Sequence, residues 1–198
     1  MSVAINPRRL HGPWNDGYAL DFHTLQGTFL GHDEYGHARS ETTRPPVGDL
    51  PYRLKYKNDQ TAVAALVEVI MAFWKNWKPP VQALIPVPPS NIARKNQPVM
   101  AVATVLAEQF GIPLCTACVT KTKRTPELKD VFDYDKRMEA LKDAFTVQPA
   151  QTSGKNLLLF DDLYRSGATV SAITELLKSQ GNAKAVYLLT LTETRRTA

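Results

Sequence analysis

Four consecutive apolar residues, Leu157 to Phe160, run directly into two adjacent carboxylates, Asp161 and Asp162. The chain then passes through Ser166, Gly167 and Thr169 into a stretch with Val170, Ile173, Leu176 and Leu177 on one helical face. An apolar run without alternation reads as a strand buried on both faces of a parallel sheet. Strand, short loop and amphipathic helix in that order predict an α/β architecture, in which ligands bind beyond the carboxyl ends of the strands.

The loop itself has a readable chemistry. Gly167 permits close backbone approach to a ligand, and the helix that follows offers free N–H groups and a dipole that favour an anion. The hydroxyls of Ser166 and Thr169 add donors for phosphate oxygens. Two carboxylates would repel that phosphate, so they need another partner. Vicinal hydroxyls or a hard divalent cation suit them. A phosphorylated ribose with bound magnesium satisfies every group, with Asp161 and Asp162 contacting the metal indirectly, through the ligand.

Apolar strand, Asp-Asp, short loop, Ser/Thr-Gly-x-Thr and helix together resemble the signature of the phosphoribosyltransferases. The resemblance implies that Asp161 and Asp162 hold the ribose hydroxyls of phosphoribosyl pyrophosphate. It implies too that Tyr164, Arg165, Ser166, Gly167, Ala168 and Thr169 cradle its 5′-phosphate. Arg165 departs from the pattern, standing where a small Thr or Ser is common in the family.

Composition bounds the rest. The chain has 198 residues, 43% of them hydrophobic and 22% charged, as in a folded globular protein with one well-buried domain. Its longest apolar stretch, Ala62 to Trp74, contains Glu68 and is too short to span a bilayer. The N-terminus lacks a signal-peptide core, and a cytoplasmic protein without membrane partners is expected. The two cysteines, Cys115 and Cys118, give no disulfide framework and suit a reducing compartment. On a strand they point to opposite faces. The four histidines (His11, His23, His32, His37) match no compact zinc set with them. A net charge of +5 suits a protein that handles anions, either a pyrophosphate-bearing nucleotide or nucleic acid.

Residues 1–58 are expected to form an appendage or hood of β-hairpin and helix on a core of residues 59–198. Tyr18 to Leu25 and Thr28 to Leu30 suggest a hairpin turning near Gln26–Gly27. Thr61 to Trp77 carries apolar residues at helical spacing, with Asp59 as its N-cap. Val81 to Val87 reads as the first core strand, followed by a helix to Phe110 capped by Gly111 and a strand from Ile112 to Val119. These make a βαβ crossover. In phosphoribosyltransferases the loop after the first core strand binds pyrophosphate, which by resemblance points to Val87, Pro88, Pro89, Ser90, Asn91 and Arg94. The charged segment from Thr120 to Lys142 has the length of a mobile cover. The resemblance implies that Lys121, Lys123, Arg124 and Arg137 meet the pyrophosphate on closure, with an interaction surface as the alternative. Strands are expected over Ala144 to Gln148 and Ala183 to Thr192.

A strand end of Ile85–Pro86–Val87–Pro88, then Arg124–Thr125–Pro126, Arg137, Ala144–Phe145 and the Asp-Asp loop follow in an order similar to the ComF-like phosphoribosyltransferases. That family is associated with bacterial competence and DNA uptake, and the likeness spans about Val81 to Thr192. The paired CxxC zinc ribbon found in many members has no counterpart here, and Glu127–Leu128–Lys129 replaces the polar residue often found after Thr-Pro. The fold implied is the type I phosphoribosyltransferase fold, a mostly parallel twisted sheet flanked by helices. The activity implied is magnesium-dependent transfer of phosphoribose to an acceptor, with pyrophosphate leaving. A non-catalytic module binding phosphoribosyl pyrophosphate or a nucleotide for a DNA-processing partner is the rival expectation, and direct DNA binding a third. A homodimer is compatible with each.

Overall fold

The computed structural model describes residues 3–32, 35, 38–89, 97–123 and 134–195. Its central sheet contains β1 (Arg8–Arg9), β2 (Asp16–Phe22), β5 (Ala83–Pro86), β8 (Asn156–Tyr164) and β9 (Ala185–Glu193), in the order β1-β2-β9-β8-β5. Four of these strands run parallel, and only the two-residue β1 is antiparallel to its neighbour. This is the mostly parallel, helix-flanked sheet expected from the sequence.

The strands are apolar on both faces because both faces are covered. On β8, Leu158 and Phe160 pack with α1 (Pro46–Tyr56), α2 (Thr61–Trp77) and α3 (Pro98–Phe110). Leu157 and Leu159 point the other way, toward α6 (Ala168–Ser179). All four are fully buried. At roughly 1.5–3 kcal/mol for each such side chain, this short run anchors two layers at once.

Several sequence expectations hold. The helix over Thr61–Trp77 is present, and the Asp59 carboxylate accepts the Thr61 N–H at 3.0 Å, one residue ahead of the Gln60 cap position. Gly111 ends α3 in the left-handed conformation, with φ of 65°.

Three expectations change. Residues 18–25 are not the first arm of a hairpin turning near Gln26–Gly27. They supply most of β2, which pairs in parallel with β9 from Asp16↔Tyr187 to Phe22↔Glu193. Ala19, Leu20 and Asp21 are buried in succession, as befits a central strand rather than an alternating surface ribbon. The hairpin lies downstream, between β3 (Gln26–His32) and β4 (Ala38–Thr43). The second change concerns residues 112–119, which join the sheet only through the Leu84↔Leu114 bridge before turning at Thr116–Ala117. That turn, absent from the strand reading, brings Cys115 and Cys118 to the same side, where they are bonded as a disulfide. Third, the expected cover is partly packed structure. β6 (Val119–Lys121) pairs antiparallel with β7 (Phe145–Val147), and α4 (Tyr134–Leu141) places Met138 and Leu141 against the α6-side core. The short α5 (Pro149–Thr152) then leads into β8.

No helix among the described residues is long and apolar enough to cross a membrane.

Candidate active site

β5 and β8 separate at one point, and the candidate site lies there. Their pairing ends at Pro86↔Phe160, with a last bond from the Val87 N–H to the Phe160 carbonyl at 2.8 Å. Pro88 and Pro89 have no N–H with which to continue the ladder. β8 continues, held by β9 as far as Tyr164↔Glu193. Asp161 and Asp162 therefore lie within β8 rather than just past its end, on a stretch whose β5 side is open.

The crossovers leaving β5 and β8 also run in opposite directions. β5 leads through α3 to the Leu114 bridge on its outer edge, whereas β8 leads through α6 inward to β9. This is a topological switch point, where open α/β sheets form a ligand crevice. A cavity of about 200 Å³ occupies it. Its walls are Val87, Pro88 and Pro89 from the β5 exit, Gln97 to Met100 from the start of α3, Lys55 from α1, Asp161 and Asp162 from β8, and Thr169 from α6.

The two acids have different surroundings. Asp161 is half-buried at the cavity wall, and its carboxyl accepts the Asp162 backbone N–H at 2.9 Å. Burial, reinforced by the negative charge of Asp162, pushes its pKa well above the usual carboxylate range, while Lys55 pulls in the opposite direction. Asp162 faces a cation, with Lys55 Nζ 3.7 Å from its Oδ2. Its backbone carbonyl accepts the Thr192 hydroxyl at 3.0 Å, and Thr192 Oγ1 lies 3.2 Å from His23 Nδ1. With the hydroxyl proton directed at the carbonyl, the chain is completed by a neutral His23 donating from Nδ1. Burial and the nearby Arg44 lower the His23 pKa, which favours that neutral form.

The turn past the acids is built from beneath. Gly167 has φ of 82°, in the left-handed region, and a Cβ there would collide with the Tyr164 ring and hydroxyl. Tyr164 is itself buried, edge-on to Trp14 with ring centroids 6.1 Å apart. Ala168 is buried too, and its N–H reaches Ser166 Oγ at 3.4 Å. Arg165 is exposed, and its charge contributes to depressing His23. Of this turn, Thr169 is the residue that lines the cavity.

The structure thus brings Asp161, Asp162, Thr169, Val87, Pro88 and Pro89 to one cavity, whereas Tyr164, Arg165, Ser166, Gly167 and Ala168 are not among its lining. Ser90, Asn91, Arg94 and Arg124 lie outside the described residues. Lys121, Lys123 and Arg137 are not among the cavity's lining; Lys121 is partly buried, which lowers its pKa, and Lys123 lies 3.8 Å from Asp143.

Among solved structures, the chain is similar to adenine phosphoribosyltransferase from Saccharomyces cerevisiae, with a TM-score of 0.48 and 16% identity over 86% of this chain and 84% of that one. It is also similar to the Trypanosoma brucei adenine phosphoribosyltransferase, at 0.47 and 10% over 96% and 86%. The Thermoanaerobacter pseudethanolicus enzyme scores 0.45 at 15% identity, over 86% and 95%. No family model matches the chain, and no curated protein does. At these values the likeness assigns neither substrate nor residue.

Sequence reasoning missed Lys55, His23 and the start of α3. For Lys55 a signal existed. Pro46 at the first helical turn, then Val47, Leu50 and Leu54 at helical spacing, announce a helix with Lys55 beside its apolar stripe.

Among the described residues no group of three or more His, Cys, Asp or Glu side chains is arranged to hold a metal ion. Two acids, one already facing Lys55, make too small a donor set for a protein-held cation. They fit a cation that arrives with a ligand's own oxygens.

Proposed function

We propose that this cavity binds phosphoribosyl pyrophosphate and that the protein transfers its phosphoribose to an acceptor, releasing pyrophosphate. One observation carries the reading: an acid pair and the head of a helix, adjacent in sequence, line the same crevice at a topological switch point. In this reading Asp161 and Asp162 accept hydrogen bonds from the ribose hydroxyls, and the Ser166–Thr169 turn seats the 5′-phosphate. The Val87–Pro89 exit borders the pyrophosphate. Lys55 offsets the charge of Asp162 until the sugar takes its place. The negative charge that the acid pair carries also favours the positive charge that develops on the ring as the leaving group departs. Magnesium entering with the pyrophosphate would neutralise leaving-group charge. The order of features from Ile85 to Phe145 supports a relationship to the ComF-like members.

The size of the cavity favours a second reading, a sensor without turnover. About 200 Å³ is below the usual range of roughly 300–1,000 Å³ for small-molecule sites, which suits one ligand better than a donor and an acceptor together.

Calorimetry with phosphoribosyl pyrophosphate and magnesium, followed by a pyrophosphate-release assay across a nucleobase panel, separates the two. Asp161→Asn and Asp162→Asn are each expected to weaken binding at least tenfold with the fold intact. Two variants that bind like the parent would remove the sugar assignment. Binding without release across the panel would favour the sensor.

A further inference from the structure

Cys115 and Cys118 take no part in the cavity, yet their surroundings are organised. The two are three residues apart, joined as a disulfide across the exposed Thr116–Ala117 turn. Cys118 is fully buried and Cys115 partly so. A crosslink over so short a loop restricts the unfolded chain little, which makes it a poor staple. The backbone needs no staple here. The Cys115 N–H donates to the Leu84 carbonyl at 2.8 Å, and the Cys118 carbonyl accepts the Gln148 N–H at 3.0 Å. Both cysteines keep these anchors whether or not their sulfurs are joined.

One side chain lies against both sulfurs. Gln151 Oε1 lies 2.7 Å from Cys115 Sγ and 3.3 Å from Cys118 Sγ. A disulfide has no hydrogen to offer that oxygen, whereas either thiol does. Opening the pair would give that one acceptor a donor, and neither backbone anchor involves a sulfur.

We propose that Cys115 and Cys118 form a redox-active pair that exchanges with an external dithiol, Cys115 being the sulfur attacked. A thiolate of the external dithiol bonds to Cys115 Sγ. The S–S bond breaks, and its electron pair leaves on Cys118 Sγ, which takes up a proton. The second thiol of the reagent then attacks the mixed disulfide and releases the Cys115 thiol. Two electrons and two protons pass to the protein, and the reagent departs as its own disulfide. The difference in exposure sets the order, because the buried Cys118 is shielded from an incoming sulfur.

The test uses the full chain equilibrated in glutathione buffers of graded ratio, trapped by alkylation and weighed by mass spectrometry. A single two-thiol transition is expected, with circular dichroism unchanged across it. Cys118→Ser should take up one glutathione under native conditions. Cys115→Ser should take up none until denaturant is added. Gln151→Leu removes the acceptor of the open form and should make the pair roughly fivefold harder to reduce, the worth of one hydrogen bond. Thiols that stay open in oxidised glutathione would overturn the proposal, as would a disulfide that resists excess dithiothreitol until the protein unfolds. Equal glutathione uptake by the two single variants would overturn the assignment of Cys115. An unchanged midpoint in Gln151→Leu would overturn the role of the amide.

Discussion

The cavity is bordered by two βα units constructed in different ways. In one, β8 runs nine residues, passes through a single left-handed glycine and enters α6 at once. Pairing with β9 as far as Tyr164, two hydrogen bonds from Thr194 and the buried tyrosine beneath Gly167 hold that turn. In the other, β5 is four residues long and leaves the sheet through Val87, Pro88 and Pro89 before α3 begins at Pro98. Here ring geometry shapes the wall at Pro88 and Pro89, which have no N–H to pair. The first unit borders the crevice with a turn closed on a buried tyrosine, and the second borders it with two consecutive proline rings.

Substitutions can break this contrast, and the largest effect is expected at Gly167. Gly167→Val places a branched side chain at φ of 82° and against Tyr164. The backbone strain alone is of order 1–3 kcal/mol, and the collision adds to it. Thermal unfolding should show a loss of several degrees, together with loss of phosphoribosyl pyrophosphate binding. Pro88→Ala on the opposite wall should cost under about 1 kcal/mol. Equal losses from the two would erase the distinction.

The acids give the next effect, read through pH. Because the folded pKa of Asp161 is raised, the native state holds its proton more tightly than the unfolded chain does. Stability from this group is fully present below the ordinary carboxylate pKa and is lost as pH rises through the folded value. Asp161→Asn should remove that slope, so the gap between variant and parent stability in urea titrations should widen in the variant's favour from mildly acidic to neutral pH. A constant gap would show that the carboxyl titrates normally.

His23 carries the opposite sign. Its folded pKa lies below the ordinary 6.5, so its contribution is present above that value and lost as pH falls through the folded one. His23→Asn should flatten the stability profile on the acid side of 6.5. An unchanged profile would remove the neutral donor to Thr192. Smallest of all is Lys55→Met, which deletes a partly exposed ion pair worth under about 1 kcal/mol. Its use lies in the ratio: ligand affinity should change more than stability does.

The β8–α6 unit was legible because it is local. Strand, acids, glycine and helix stand within about two dozen residues, each with its own chemical signature. Lys55 and the start of α3 reach the same cavity from distant parts of the chain, and His23 meets Asp162 through Thr192; no short window shows that convergence. The place of β2 in the central sheet was missed for another reason. Asp16, Gly17 and Asp21 dilute its apolar character, although Ala19 to Asp21 are buried. The disulfide was hidden by a secondary-structure error, since a strand separates two side chains that a turn unites.

β2 and β9 have a consequence for how the protein is made. Their interlock joins segments as far apart as Asn15 and Val186, 171 positions from one another. During synthesis the early strand has emerged long before its central neighbour is translated. With β9 missing, its pairing edge stays open, an invitation to chaperones or to a neighbouring nascent chain. Closure of the sheet waits for β9, and the crevice between β5 and β8 rests on a scaffold completed only then.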